Sequence, residues 1–194
     1  MVKIQIIVGS TRPNRFGIQP AQWLLNLAKS RTDAEFELVD LQKVALPFLD
    51  EPQSAVTGIY AHEHTKKWSA QVAAADGFVM VTPEYNHSYS PALKNAIDFL
   101  FAEWTHKPVS YLAYGAQTGG ARAIEHLRGV AAQVKMFDLQ EHLSVPNYWT
   151  QMNEQGEWQS TPEQTKTATA MLDALVFWSE QMKTARAELA AQQA

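Results

Sequence analysis

The chain has 194 residues, of which 46% are hydrophobic, and a formal net charge of −4 from 16 Lys and Arg against 20 Asp and Glu. This length and composition predict one folded domain over residues 1–194 rather than a disordered chain. The slightly acidic balance gives no electrostatic reason to expect nucleic acid or a membrane as a partner. The absence of cysteine excludes disulfides and thiol chemistry, and we expect a cytoplasmic protein.

The first part of the chain alternates between strand and helix patterns. Residues 2–8 form a β-branched run typical of a buried parallel strand, and the run is far shorter than the roughly 20 apolar residues of a membrane span. Apolar residues after Gly17 recur at helical spacing to about Arg31, and residues 36–41 are predicted to form a second strand. Residues 43–60 show no period, so we expect a long connection there.

The middle of the chain contains the clearest helix start. A helix over residues 63–75 is predicted to lead into a third strand at residues 77–82. Ser90 can then cap the free N–H groups of the next helix, because Pro91 suits the first helical position. The apolar residues that follow at helical spacing are Leu93, Ile97, Leu100, Phe101 and Trp104.

The last third of the chain continues the alternation. Residues 109–114 are predicted to form the fourth strand, residues 119–132 a helix and residues 134–139 the fifth strand. The segment from His142 to Ser160 has no regular pattern. Thr161 begins a capping box for a final helix, whose Ala- and Gln-rich end we expect to fray after about residue 185.

This alternation predicts an α/β fold with a doubly wound, five-stranded parallel sheet and helices on both faces. In such sheets ligands bind beyond the carboxyl ends of the strands. Three loops leave those ends at residues 9–17, 83–90 and 115–120, and they are called loop 1, loop 2 and loop 3 below. All three are rich in glycine, proline, polar or aromatic residues, so we expect the binding site where they meet.

Loop 1 has the composition of a phosphate site. The hydroxyls of Ser10 and Thr11 accompany two arginines, Arg12 and Arg15. These groups can converge on one phosphate together with free N–H groups at the start of the following helix. The loop matches neither a triphosphate-binding loop nor the G-x-G-x-x-G dinucleotide motif. A solvated turn that carries two arginines is the alternative, and only loops 2 and 3 favour the phosphate site.

Loops 2 and 3 suit a flat ligand. The N–H groups that follow Pro83 can donate to the edge of a planar heterocycle while Tyr85 packs beside it. In loop 3, Gly115, Gly119 and Gly120 allow the backbone to approach a ligand closely. Each loop on its own also fits an ordinary connection between a strand and a helix.

Three segments together resemble one known family. They are Gly9-Ser10-Thr11-Arg12 with Arg15 and Gly17, Asp76-Gly77-Phe78-Val79 leading into Thr82-Pro83-Glu84-Tyr85-Asn86, and Pro91-Ala92-Leu93-Lys94-Asn95-Ala96-Ile97-Asp98. From Lys3 to about Val134 the chain resembles the NAD(P)H-dependent FMN reductases of the flavodoxin-like fold, which include quinone, azo-dye and chromate reductases.

The resemblance implies a set of cofactor-binding residues. Those implied at the FMN phosphate are Ser10, Thr11, Arg12, Arg15, Phe16 and Gly17. Those implied around the isoalloxazine ring are Pro83, Glu84, Tyr85 and Asn86, with Gly115, Gln117, Thr118 and Gly119 at its other edge. Gln117 and Thr118 are larger than the residues usual at these positions in relatives.

The resemblance also implies a function. Hydride is expected to pass from NAD(P)H through bound FMN to an acceptor such as a quinone, free flavin, azo compound or metal oxyanion. Because the flavin supplies the redox chemistry, no dedicated catalytic residue is predicted. The expected substrate contacts are Tyr85, His87 and Gln117. The sequence has no second nucleotide motif, so donor and acceptor are expected to use one site in turn, by a ping-pong mechanism.

Two other functions remain open. A flavodoxin-like electron carrier has the same fold, although carriers are usually more acidic than this chain. A redox-sensing scaffold that binds FMN and regulates a protein partner is the second alternative.

We further expect a homodimer or homotetramer. Relatives associate through the helix after loop 2, where Phe101 and Trp104 extend beyond a narrow core stripe. The connection over residues 43–60 adds further apolar groups: Leu46, Pro47, Phe48 and Leu49.

Two candidate sites are discounted. His62 and His64 flank Glu63, and residues two apart on a helix point to different sides, so no metal site is predicted. Glu84 lies in the loop that lines the ring, and we expect its side chain to face solvent or a partner subunit rather than act as a general base.

Overall fold

A computed structural model of the chain describes residues 1–193. The strands are β1 (Val2–Val8), β2 (Ala34–Asp40), β3 (Gly77–Pro83), β4 (Pro108–Gly115), β5 (Phe137–Asp138) and β6 (Leu143–Pro146). The helices are α1 (Ile18–Ala28), α2 (Leu41–Val44), α3 (Glu63–Ala73), α4 (Pro91–Asp98), α5 (Ala121–Gln133) and α6 (Pro162–Gln193).

The strands form one parallel sheet in the order β2-β1-β3-β4-β5, which confirms the predicted flavodoxin-like α/β fold. The outer strand next to β4 is interrupted. Phe137 pairs with Pro108 at the start of β4, and Leu143 pairs with Leu112 further along the same strand. β5 and β6 therefore occupy the place of one fifth strand, broken between residues 139 and 142.

Helices cover both faces of the sheet, so the central strands are buried on both sides. Ile6 belongs to the core cluster that includes Leu24 of α1 and Leu172 of α6. Ile7, the next residue, belongs to the cluster formed with α3, α4 and α5. This alternation follows from the two-residue period of a strand, and it explains why β1 is a continuous apolar run.

Several element boundaries differ from the sequence prediction. β2 begins two residues earlier than expected, at Ala34, and α1 ends at Ala28 rather than near Arg31. α4 ends at Asp98, and the chain continues in tight turns in which Leu100 N–H donates to the Ile97 carbonyl. The apolar residues of these turns keep a spacing close to that of a helix, which is why the pattern predicted a longer α4.

The segment over residues 142–160 was expected to be irregular, and that prediction is wrong. It contains β6, a 3₁₀ turn at Tyr148–Gln151 and a bridge between Met152 and Trp158. α6 continues to Gln193, so the end at which we expect fraying after about residue 185 is helical in the structure. The Ala, Glu, Leu and Gln residues of this end are strong helix formers.

Asp76, just before β3, fastens the end of α6 to the sheet. Its carboxylate accepts hydrogen bonds from the Lys3 N–H at 3.1 Å, from Lys183 Nζ at 2.8 Å and from Arg186 Nη2 at 2.7 Å. The Asp76 side chain is 11% exposed, so solvent screens these charges less than at the surface. Within residues 1–193, no helix has the length and apolar character needed to cross a membrane.

Replacing Asp76 should therefore destabilise the fold. Asp76→Ala removes a buried carboxylate with three donors, and we expect the free energy of unfolding to fall by about 1.5–3 kcal/mol, as for hydrogen bonds to a charged group. Asp173→Ala is the control, because Asp173 on α6 also pairs with an arginine, Arg31, but its side chain is 60% exposed. Urea unfolding measures both changes, and equal losses would contradict the proposed role of Asp76.

Candidate functional site

The carboxyl ends of β1, β3 and β4 lie side by side, so loops 1, 2 and 3 leave the same edge of the sheet. The Gly9 N–H donates to the Val81 carbonyl at 2.8 Å, and the Glu84 N–H donates to the Tyr114 carbonyl at 2.9 Å. A Cβ at Gly9 would lie 2.9 Å from the Val81 oxygen, so a side chain there would separate loop 1 from β3.

Ser90 joins loop 1 to α4. Its buried hydroxyl donates to the Gly9 carbonyl at 2.5 Å and accepts from the Leu93 N–H at 3.2 Å. The second bond is the helix cap predicted from the sequence, which is confirmed. The first bond was not predicted, and it ties the start of α4 to the end of β1.

Loop 1 presents a row of unpaired N–H groups. Within the described residues, no main-chain N–H from Ser10 to Phe16 donates to a protein acceptor, and Pro13 has no N–H. The Gly17 N–H is directed at the Tyr114 hydroxyl. Ser10 and Phe16 are buried, and a buried N–H without an acceptor is costly. An anion bound in the loop would satisfy these donors, which are arranged at a helix N-terminus. The loop therefore fits a phosphate.

The two arginines of loop 1 have different surroundings. Arg12 is exposed and forms no ion pair among the residues described. Arg15 is buried, and its Nη2 lies 2.5 Å from Asp40 Oδ2. Its Nε and Nη1 are also covered and have no acceptor. Asp40 therefore neutralises Arg15 inside the protein, and Arg12 is the guanidinium that faces outward. Because two donors of Arg15 have no protein acceptor among the described residues, its expected contact with the phosphate stays a prediction.

Phe16 and Gly17 contribute to loop 1 through packing. The Phe16 ring stacks on Tyr148 with centroids 4.1 Å apart and meets Tyr114 edge-on at 4.9 Å. A Cβ at Gly17 would lie 2.6 Å from the Tyr114 hydroxyl, so this position requires glycine. Of the two main-chain N–H groups, that of Phe16 has no acceptor among residues 1–193 and remains available to a phosphate.

Loop 2 begins with a tight hairpin turn. Tyr85 N–H donates to the Ser88 carbonyl at 2.7 Å, and Ser88 N–H donates back at 3.0 Å. The two residues between them have positive φ, 50° at Asn86 and 68° at His87, as in a type I′ turn. Asn86 and His87 are exposed, as expected for residues that contact a ligand. The Tyr85 hydroxyl lies 3.2 Å from Ser10 Oγ, which brings loops 1 and 2 together.

The Glu84 side chain does not face solvent, which corrects the sequence prediction. It is 9% exposed and lies 2.9 Å from Arg122 Nη1, and it accepts the Thr118 hydroxyl at 3.0 Å. Burial alone would raise the pKa of Glu84, but the bonds from Arg122 and Thr118 outweigh it and lower the pKa. The carboxylate is therefore ionised near neutral pH and holds loop 2 against loop 3.

Sequence reasoning missed the segment that lies beside loop 3. Asn147 N–H donates to the Ala116 carbonyl at 3.1 Å, and Val145 N–H donates to the Gly119 carbonyl at 3.2 Å. A Cβ at Gly119 would lie 2.8 Å from the Pro146 nitrogen, so this glycine permits contact with β6. Trp149 follows and is 52% exposed. In the sequence, the pair Pro146-Asn147 stands directly before Tyr148 and Trp149, and this pattern could have predicted an ordered turn here.

Gln117 and Gly115 are the other two loop 3 residues that were predicted to lie at the ring edge. Gln117 is exposed at the tip of the loop. A Cβ at Gly115 would lie 3.2 Å from the Glu84 Cβ, so Gly115 sits where loops 2 and 3 touch. The loops named in the sequence analysis thus lie together, while Arg15, Glu84 and Thr118 direct their side chains into contacts within the protein.

A groove of about 510 Å³ opens on the other side of loop 1. Its lining is mostly apolar, from α2, the following connection and α4, and includes Thr11, Leu46, Pro47, Phe48, Pro91 and Ala92. Phe48 is 87% exposed at its wall. Trp104, which was expected to add to an interface, is instead buried in the core.

The histidines near α3 differ from expectation. His62 precedes the helix as its N-cap, so the rings of His62 and His64 stack, with centroids 5.2 Å apart, rather than pointing to different sides. His64 Nε2 lies 3.0 Å from Asp50 Oδ1. No group of three or more potential metal ligands occurs among residues 1–193.

Comparison with known proteins places the chain in a family. The sequence profile described as NADPH-dependent FMN reductase matches residues 2–150. An NAD(P)H-dependent FMN reductase of Schizosaccharomyces pombe is 43% identical over 136 residues, which cover 69% of this chain and 68% of the relative. A 2-hydroxy-1,4-benzoquinone reductase of a Burkholderia species is 34% identical over 142 residues, which cover 68% of this chain and 70% of the relative.

A solved structure shows the same fold. The flavoenzyme NAD(P)H:(acceptor) oxidoreductase FerB from Paracoccus denitrificans superposes with a TM-score of 0.76 at 23% identity, over 94% of this chain and 99% of that chain. The profile match covers all of loops 1, 2 and 3 and the Asn147 turn beside them. The chain belongs to the NADPH-dependent FMN reductase family.

Proposed function

We propose that this FMN reductase binds FMN on loops 1, 2 and 3 and passes reducing equivalents from NAD(P)H to a quinone. The observation that carries the proposal is the row of N–H groups in loop 1 that have no protein acceptor within the described residues. The quinone is supported by the Burkholderia relative, whose printed name specifies a benzoquinone. Free flavin, azo compounds and metal oxyanions are the other acceptors to be tested.

Loop 1 would hold the FMN phosphate. Ser10, Thr11 and Arg12 offer hydroxyl and guanidinium donors, and the unpartnered Nε and Nη1 of Arg15 are further donors. The N–H groups from Ser10 to Phe16 complete the set. When bound, FMN supplies the redox chemistry by accepting a hydride from NAD(P)H and passing two electrons to the acceptor.

Loops 2 and 3 would hold the ring. The N–H groups of Asn86 and His87 have no protein acceptor among residues 1–193 and can donate to the polar edge of the ring. Oriented N–H donors of this kind stabilise negative charge that develops on a bound group. Glu84 is already hydrogen-bonded and has a lowered pKa, so we assign it no acid or base role. Tyr85, His87 and Gln117 are the proposed contacts with NAD(P)H and the acceptor.

The phosphate assignment can be tested with two flavins. Arg12→Ala should weaken FMN binding by about 1.5–3 kcal/mol, the contribution of a charge-assisted hydrogen bond, and leave riboflavin, which has no phosphate, nearly unaffected. Fluorescence titration measures both dissociation constants. FAD should bind less well than FMN to the unmodified protein, because loop 1 suits a terminal phosphate. Unchanged FMN affinity in Arg12→Ala would remove Arg12 from the phosphate site.

The kinetic mechanism can be tested at Tyr85. If NAD(P)H and the quinone use one site in turn, reciprocal plots should be parallel, and Tyr85→Ala should raise the apparent KM for both. We expect a rise of about threefold to tenfold, since an aromatic contact contributes about 0.5–1.5 kcal/mol. Tyr85→Phe keeps the ring and serves as the control. Intersecting plots, or impairment with one substrate only, would mean that donor and acceptor have separate sites.

We also propose that the protein is a homodimer at least, formed through the groove beside α4. Phe48 projects at the wall of an apolar groove that its own chain leaves open. In a two-fold dimer the same patch occurs on both copies, so each Phe48 can fill the groove of the other. Val56 and Ile59 add exposed apolar surface on the same connection, at 67% and 65% exposure.

Phe48→Glu should therefore yield a monomer. The substitution places a charge in the proposed interface and changes no buried contact, because Phe48 is 87% exposed. Light scattering at micromolar concentration should give a mass near 21.7 kDa for the variant and a multiple of it for the unmodified protein. Phe177→Glu on α6 is the control. Dissociation by Phe177→Glu alone would place the interface on α6 instead.

A further inference from the structure

One face of α5 holds the turn of loop 2 at two points. Arg122 Nη1 lies 2.9 Å from Glu84 Oε1, and the Arg122 N–H lies 3.3 Å from the other oxygen. One helical turn later, His126 Nδ1 lies 3.0 Å from Ser88 Oγ. Because residues four apart lie on the same side of a helix, both contacts point to loop 2. Glu84 and Ser88 are also the two residues that flank the turn over Tyr85, Asn86 and His87.

The first contact is the stronger of the two. Glu84 is 9% exposed, and a buried carboxylate is tolerated only when it is paired and hydrogen-bonded. Arg122 supplies the opposite charge from α5, and the Thr118 hydroxyl adds a bond at 3.0 Å from loop 3. This carboxylate therefore joins loop 2, loop 3 and α5, and none of the three can shift without breaking a charge-assisted bond.

The turn itself needs such support. It is closed by two main-chain hydrogen bonds, and a hairpin this short has little stability of its own. Its two central residues, Asn86 and His87, have positive φ, which is uncommon for residues other than glycine. Conformations of this kind persist when surrounding contacts hold them.

We infer that Arg122 and His126 are positioning residues that hold the loop 2 turn, through Glu84 and Ser88, in the conformation that binds the flavin ring. Neither side chain is assigned a contact with the flavin. The inference rests on the proposed function for its ring-binding part. The part that concerns the turn can be tested in the protein without any ligand.

The first measurement is hydrogen–deuterium exchange of the ligand-free protein. Arg122→Gln and His126→Gln should each speed exchange of the Tyr85 and Ser88 amides, by about tenfold for Arg122→Gln, which corresponds to about 1.4 kcal/mol of local opening. Amides of β1 and β3 should not change, which separates local loosening from loss of global stability. Glu125→Gln is the control, because Glu125 lies on α5 but faces Arg128 and is 72% exposed.

The second measurement compares flavins. Arg122→Gln should raise the dissociation constants of FMN and riboflavin by the same factor, about tenfold, because the ring is common to both. Arg12→Ala should affect FMN alone. The double variant Glu84→Gln/Arg122→Gln should bind no more weakly than Arg122→Gln, since both partners of one pair are then absent.

The outcomes separate the inference from the proposed function. If the unmodified protein binds no FMN, the proposed function fails, while the exchange experiment still decides whether α5 holds the turn. If FMN binds but Arg122→Gln leaves both the exchange of the turn and flavin affinity unchanged, the inference is wrong. Faster exchange with unchanged affinity for both flavins would also overturn it, because the turn would then not position the ring.

Discussion

The Ser90 hydroxyl makes the contact on which the geometry of the site depends. It donates to the carbonyl of Gly9, the residue after β1, and accepts from the Leu93 N–H in the first turn of α4. The start of loop 1 is thereby fixed to the end of loop 2. Gly9 makes this approach possible, because any side chain there would meet the Val81 carbonyl. Loop 1 and loop 2 therefore face each other at a distance set by the spacing of adjacent strands.

Loops 1, 2 and 3 are held by different kinds of bond. Loop 1 is anchored by aromatic packing of Phe16 and by the buried Arg15–Asp40 pair. Both are side-chain contacts, so they do not use the main-chain N–H groups of the loop. Loop 2 is anchored by its own turn and by Glu84, and loop 3 by β6 and the turn at Asn147. In each case side chains or neighbouring strands provide the support. The main-chain donors remain open at the rim, as a flat, phosphate-bearing cofactor requires.

The sequence was informative where a pattern has one physical meaning. The apolar run of β1 and the Ser90-Pro91 start of α4 led directly to the observed elements, and the three loops at the sheet edge were found from composition. No comparable sequence pattern identifies which residue a charged side chain will pair with. Nothing near Arg15 in the sequence indicates Asp40, and nothing near Glu84 indicates Arg122, because those contacts depend on strand order. The break in the fifth strand was missed for a different reason: β5 has only two residues, which is too short for a strand pattern to show in the sequence.

The buried pair of Arg15 and Asp40 determines how loop 1 can hold an anion. With the charge of Arg15 neutralised by Asp40, Arg12 is the one unpaired guanidinium that loop 1 would offer to a phosphate, which carries about −1.5 to −2 charges near neutral pH. The remaining attraction would come from N–H dipoles that are fixed in direction and carry no net charge. Dissolved salt screens exposed charges strongly, but it weakens short, desolvated hydrogen bonds much less. We therefore expect phosphate binding by loop 1 to depend more on the shape of the backbone than on the net charge of the loop.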